Sequence, residues 1–283
     1  MNFSRRHFLH TAAVAPALAG LGMYASPSFA AATTGNSRIK FQLGMASFTF
    51  RNFTRAEAIA MTRRAGLDYI CLNPRHLPMD STDAECAAAA EECRQAGLTF
   101  YACGVVHMRR PEEVPNAFRY ARAAGLRVIV AGPQNLELLP LIDEKVKETG
   151  IYVAIHNHVS GSGHLRTPAT IMEAVGSLDR RIGICLDTGN AARAGDDVVR
   201  AIHQFKDRIY DVHLKDETEK TPAGRNVAFG RGVLDLPSHL KALIDVGYDR
   251  IASFEYEDNP ADPLPGNMES VGYTRGILRM LGG

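Results

Sequence analysis

Ile209-Tyr-Asp-Val-His-Leu-Lys-Asp216 is the stretch from which the fold is read. Its alternation predicts that Ile209, Asp211, His213 and Lys215 share one face of a strand and Tyr210, Val212 and Leu214 the other. A half-buried strand shows water one polar face. Here three ionisable residues lie opposite an apolar face. That is the pattern of a parallel barrel strand, its outer face under helices and the upper end of its inner face open to a ligand.

Outward from this strand, a strand-then-helix unit recurs along the chain. Strands are predicted at Ile39–Ser47, Asp68–Asn73, Leu98–Val106, Leu126–Ala131, Ile151–Asn157, Arg181–Leu186, Arg208–Leu214 and Arg250–Tyr256. Helices are predicted near Arg55–Ala65, Asp83–Ala96, Pro111–Ala124, Leu136–Glu148, Pro168–Ser177, Asp196–Lys206, Leu236–Val246 and Glu269–Met280. Gly66, Gly97, Gly125, Gly150 and Gly247 each stand just before the next strand, as the C′ glycine of a helix-to-strand turn does. Units spaced about 25 to 40 residues apart predict an α/β protein, a single (β/α)8 TIM barrel over residues 38–283. A doubly wound open sheet is the alternative, but no Gly-x-Gly-x-x-Gly follows the first strand. Most loops are short; the one after the seventh strand, Asp216–Val233, has a length typical of a lid or of a solvated ornament.

The chain has 283 residues and a formal net charge of +1, and removing Arg5 and Arg6 leaves −1. Near neutrality gives no sign of a nucleic-acid footprint or an adhesive membrane surface. The amino end reads as an export signal. Ser4-Arg-Arg-His-Phe-Leu9 resembles the twin-arginine pattern, Thr11–Met23 is apolar, and Ser28-Phe-Ala30 supplies small residues for cleavage. Residues 1–30 are thus expected to be a twin-arginine signal peptide, 31–37 a linker, and the mature protein periplasmic, handled by the twin-arginine machinery. The apolar run is too short for a stable membrane anchor. Five scattered cysteines imply no disulfide framework. The sequence leaves the oligomeric state open.

Polar residues at strand carboxyl ends should gather at one mouth. His156 and His158 end the fifth strand, Asp187 the sixth, His213 and Lys215 the seventh, Glu255 and Glu257 the eighth. A carboxylate inside a barrel needs a cation or several donors. Two imidazoles and two carboxylates, His156, Asp187, His213 and Glu255, suit a divalent ion such as Mn, Zn, Co or Fe better than Mg. The competing reading is an ion-pair network of His213 and Lys215 with Asp187, Glu255 and Glu257. Asp187 has a reading of its own as the cap of the following helix.

Residues from about Gly44 onward resemble the sugar phosphate isomerase/epimerase group of xylose-isomerase-like TIM barrels. The resemblance is carried by His76-Leu-Pro78, Ala154-Ile-His-Asn-His158, Cys185-Leu-Asp-Thr-Gly189, Asp211–Asp216, Gly230-Arg-Gly-Val-Leu-Asp235 and Ser253-Phe-Glu255. It implies a divalent metal held by His156, Asp187, His213 and Glu255, with His156 standing where the epimerases usually carry Glu. It also implies Arg231 as a substrate contact. Asn190 stands where a His often follows the strand-six Asp, and it retains an amide for a substrate hydroxyl. His76 and Glu257 are read as further substrate contacts. His158 is the first choice for general base or acid, with Glu255 and Lys215 as the other candidates. The expected activity is that of a metal-dependent isomerase or epimerase acting on a small carbohydrate or keto-sugar, by proton abstraction next to a carbonyl through a metal-stabilised enediolate. A lyase expelling the aglycone of a 3-keto-glycoside uses the same site, and a sugar-binding barrel without turnover is the non-enzymatic alternative.

Overall fold

Helix starts are set by short-range chemistry. Thr54, Thr82 and Thr167 cap three helices, each accepting from the N3 backbone while the N3 side chain (Glu57, Glu85 and Thr170) accepts in return from the cap's backbone N–H. Gly66, Gly97, Gly125, Gly150 and Gly247 all take positive φ, between 69° and 76°, so the predicted C′ turns are the observed ones.

The computed structural model of the protein describes residues 39–133, 135–159 and 165–282; the signal expected over 1–30 and the linker at 31–37 lie outside them. The elements alternate as β1 (Gln42–Ala46), α1 (Arg55–Arg64), β2 (Tyr69–Leu72), α2 (Asp83–Gln95), β3 (Thr99–Met108), α3 (Glu113–Ala123), β4 (Val128–Pro133), α4 (Leu139–Thr149) and β5 (Tyr152–His156). They continue as α5 (Pro168–Val175), β6 (Ile182–Asp187), α6 (Thr188–Arg193), α7 (Val198–Phe205), β7 (Ile209–Leu214), β8 (Asp216–Glu217), β9 (Asn226–Val227), α8 (Leu236–Asp245), β10 (Ile251–Phe254) and α9 (Leu264–Gly282). Eight parallel strands close in the order β1-β10-β7-β6-β5-β4-β3-β2, which is a single (β/α)8 barrel. Among the described residues, no helix is long and apolar enough to cross a membrane.

Two apolar clusters hold the barrel. The larger lies between strands and helices and includes Leu72, Ile129, Ile155 and Phe254, each buried; burying a side chain of that size is worth about 1.5–3 kcal/mol. The smaller draws on barrel strands alone: Cys71, Ala102, Val128, Val130, Ala154, Cys185 and Tyr210. All five cysteines are buried and unpaired, as the sequence implied.

One predicted face is corrected. Ile184 pairs with Ile209 but Cys185 pairs with Asp211, so the register skips Tyr210. The bulge sends Ile209 to the outer cluster and Tyr210 to the inner one, reversing both from strict alternation. There Tyr210 meets Tyr152 edge-on at 4.8 Å between centroids, with the Arg250 guanidinium 4.7 Å from its ring. From Asp211 to Leu214 the predicted alternation stands.

The loop after β7, for which the sequence left a lid and a solvated ornament open, is tied down at its base. Asp216 accepts from the backbone N–H groups of Glu217, Gly230, Gly232 and Leu234, at 2.9 to 3.2 Å. With the antiparallel β8–β9 pair, this clamp holds the base of the loop against the barrel.

Candidate metal centre

The ends of β5, β6 and β7 are tied together by side chains that bear no charge. The Asn157 amide donates to the Asp187 carbonyl at 3.0 Å and accepts from the Asp187 N–H at 2.9 Å. The Thr188 hydroxyl accepts from the Lys215 N–H at 3.0 Å and donates to the His213 carbonyl at 3.3 Å. Asp187 and His213 are register partners, so their side chains stand side by side. Neither Asn157 nor Thr188 stood out in the sequence, because each acts through the backbone of its neighbour.

His156, Asp187, His213 and Glu255 each present a ligand atom within 4.8 Å of the others, and all four are buried. His156 Nε2 lies 3.2 Å from Asp187 Oδ2 and 3.8 Å from Glu255 Oε2. His213 Nδ1 lies 3.3 Å from Glu255 Oε2. Asp187 serves two purposes: Oδ1 caps α6 by accepting from the Asn190 N–H at 2.7 Å, while Oδ2 turns toward the cluster. The cap and the candidate ligand, alternatives in the sequence, are two oxygens of one carboxylate. Cys185 adds a buried thiol within the same reach of His156 and His213.

Lys215 sits among the carboxylates, 3.0 Å from Asp187 Oδ2 and 2.9 Å from Glu255 Oε2, and it also bonds Glu257. Burial alone would lower its pKa, but Asp187, Glu255 and Glu257 hold it well above 10.5, so it is an ammonium and an electrostatic anchor. Burial works against ionising Asp187 as well, yet Lys215 and His156 bring it to about 2. His156 is raised to about 9: burial opposes its charge, and Asp187 and Glu255 override that.

The donor set fits a divalent cation. Three carboxylates face one ammonium, leaving uncompensated negative charge. Both nitrogens of His156 and both of His213 are buried without a hydrogen-bond partner, which in a native interior calls for an explanation. A cation held by His156, Asp187, His213 and Glu255 supplies one, taking the place of the proton on His156. The ion-pair network of the competing reading is present, and the same side chains form a candidate ligand set.

A cavity of about 90 Å³ opens beside the cluster, lined by His156, His158, Lys215, Glu255 and Glu257 with Phe48, Asn73, Val105 and His107. His158 is exposed at its mouth, its ring 6.0 Å from that of His156. His107 went unnoticed because the predicted third strand ended at Val106, one residue short of it, whereas the strand runs on to Met108. Two predicted substrate contacts are engaged elsewhere. His76 is buried, with Nδ1 2.8 Å from the Ser47 hydroxyl and Nε2 3.1 Å from the Phe50 carbonyl, so it locks the β1 and β2 ends. Arg231 is exposed and grips Glu269 through two bonds of 2.6 and 2.8 Å. Asn190 is buried in α6, next to Asp187.

A family model described as a xylose isomerase-like TIM barrel matches residues 30–276. Among curated proteins, the rhizopine catabolism protein MocC of Rhizobium meliloti is 28% identical over 145 residues, 43% of this chain and 42% of that protein. An inosose dehydratase of Geobacillus thermodenitrificans is 26% identical over 200 residues, 54% of this chain and 66% of that one. These matches thus span less than two thirds of each relative. Solved structures with the same fold include the IOLI protein with a bound zinc atom (TM-score 0.72, 17% identity, 85% of this chain and 99% of that one). L-ribulose 3-epimerase is another (TM-score 0.70, 17% identity, 85% and 95%).

Proposed function

The chain belongs to the xylose isomerase-like TIM-barrel family, and from that premise we propose that it is a metal-dependent isomerase or epimerase of a carbohydrate or keto-sugar. The observation that carries the proposal is the convergence of His156, Asp187, His213 and Glu255, buried and within 4.8 Å of one another, beside a cavity at the carboxyl ends of the strands. A divalent ion held there supplies Lewis acidity for the negative charge that develops on a substrate carbonyl oxygen.

The chain's own residues do the rest. Lys215 keeps a fixed positive charge at the cavity floor, where developing charge on substrate oxygen is stabilised without reorganisation. Of the candidate bases His158, Glu255 and Lys215, His158, at the mouth, has the ordinary pKa nearest neutrality, and it takes the proton from the carbon next to the carbonyl. Returning that proton to the neighbouring carbon isomerises the sugar; returning one to the opposite face epimerises it. Glu257, held by Lys215, and the ring of Phe48 line the walls against which a sugar is oriented.

A second reading, a lyase, is supported by His156. It stands at the fifth strand end, so the cluster has an imidazole where the epimerases carry a second proton-moving Glu, which favours one-sided proton removal followed by loss of a β-substituent. Relatives bearing the name inosose dehydratase point the same way. In that reaction the electron pair left by the abstracted proton expels the hydroxyl or aglycone, and the leaving oxygen takes a proton.

Incubation with free keto-sugars and 3-keto-glycosides in D₂O separates the cases. Deuterium in a rearranged sugar marks an isomerase or epimerase, and released aglycone or water marks a lyase. Bound sugar with no exchange marks a binding protein and refutes both. Export to the periplasm through the twin-arginine route is part of the proposal, resting on Ser4–Leu9. Arg5→Lys with Arg6→Lys should leave the precursor in the cytoplasmic fraction; unchanged export would refute that route.

A further inference from the structure

Beneath the four ligand groups lies a second carboxylate that the proposed chemistry does not use. Asp211 is fully buried inside the barrel, and among the described residues no lysine or arginine comes within ion-pair reach of it. A carboxylate in that position carries a desolvation penalty of several kcal/mol, which few donors offset. Its donors are the Tyr101 hydroxyl, at 3.1 and 3.2 Å, and the Val212 N–H, at 2.9 Å. Tyr101 is in turn fixed by the Ser253 hydroxyl at 2.6 Å. The titratable side chain facing Asp211 from above is His213, whose Nε2 is 3.9 Å from Asp211 Oδ2.

The ring of His213 is thereby polarised in one direction. Nδ1 faces Glu255 and the ligand cluster, and Nε2 faces Asp211. An imidazole ligates through its deprotonated nitrogen and needs an acceptor for the proton on the other. We propose that Asp211 is a positioning residue for the metal centre, accepting the Nε2–H of His213 and so fixing the tautomer that offers Nδ1 to the ion. An approach of about 0.7 Å brings the pair into hydrogen-bond range. Tyr101 and Ser253 extend the chain by holding the carboxylate in place, so that Ser253, Tyr101, Asp211 and His213 form one line from the barrel interior to the ligand set. Such partners of a ligating histidine tune affinity without touching the ion. The inference rests on the metal-site reading above.

Asp211→Asn is the discriminating variant. It keeps size and an acceptor for Val212 and Tyr101, but turns an amide N–H₂ toward Nε2, so the ring must give up Nε2–H and Nδ1 ceases to be a free ligand. Zinc affinity, measured by competition with a chromophoric chelator, is expected to fall about 10- to 100-fold, while the metal-free protein melts close to wild type. Tyr101→Phe, which frees the carboxylate to turn, should lie between. Histidine-selective ¹⁵N NMR of the zinc-loaded wild type, assigned against His213→Ala, reads the tautomer directly and decides the matter should Asp211→Asn fail to fold. Wild-type affinity in Asp211→Asn, or ligation through Nε2, overturns the inference and leaves the metal centre standing. A wild-type protein that binds no zinc, manganese, cobalt or iron overturns both.

Discussion

Replacing Lys215 by Met tests how the buried charges are balanced. The ammonium is 3% exposed and bonds Asp187 and Glu255, themselves 0% and 5% exposed, as well as Glu257. Met keeps most of the apolar stem and removes the ammonium with its charge and donors. Breaking a buried ion pair from one side costs about 3–5 kcal/mol, because the partner is left uncompensated. Protonation offers no cheaper escape: holding a carboxyl of ordinary pKa near 3.9 in its neutral form at pH 7 costs about 4 kcal/mol. In a domain of this size each kcal/mol moves the midpoint by roughly 2–4 °C, so the metal-free variant should melt roughly 6–20 °C below wild type. A divalent ion bound to the same carboxylates restores the balance, so adding Mn²⁺ or Zn²⁺ should raise the variant's midpoint more than it raises the wild type's. Differential scanning fluorimetry in chelator and then in metal reads both halves. If Lys215→Met melts with wild type in chelator, or metal narrows none of the gap, the charge argument is wrong.

Three further outcomes are expected. His213→Ala and Glu255→Ala should each lose stoichiometric metal in elemental analysis after dialysis, and full retention in both would remove them from the ligand set. His239 on α8 is held at about 4, chiefly by burial, so the folded state refuses a proton that the unfolded chain accepts near pH 6.5. Its contribution is therefore complete above pH 6.5 and declines below it, with about 3 kcal/mol lost by pH 4, measurable as a falling urea midpoint that flattens in His239→Gln. Gly183→Ala would place a Cβ 2.1 Å from the Arg208 carbonyl and 2.7 Å from the Tyr210 ring. Since backbone cannot step aside cheaply, a loss at the upper end of about 1–3 kcal/mol should appear in chemical denaturation, and an unchanged midpoint would contradict the packing.

What the sequence made legible follows the range of the physics involved. The C′ glycines and the apolar periods are local, and they located every barrel strand to within a few residues. The cluster of His156, Asp187, His213 and Glu255 was legible because charged side chains at the ends of inward-facing strands have few other uses. Tyr210 was misplaced because a bulge is an agreement between two strands, here β6 and β7, and leaves no mark on either alone. α6 was missed since Thr188–Arg193 is a capped helix of only 6 residues, too short for a periodic signal. His76 and Arg231 show the limit of motif reading: residue type says what a side chain can bond, while the fold decides whether Ser47 or Glu269 reaches it first.

The four N–H groups gathered by Asp216 have a practical corollary. Because they anchor the stem, exposed residues 219–223 form an outer tip whose connection to β7 is already braced. A peptide tag or a small folded module spliced between Lys220 and Thr221 should be carried there without shifting Lys215, making this turn the natural attachment point for reporters or surface immobilisation.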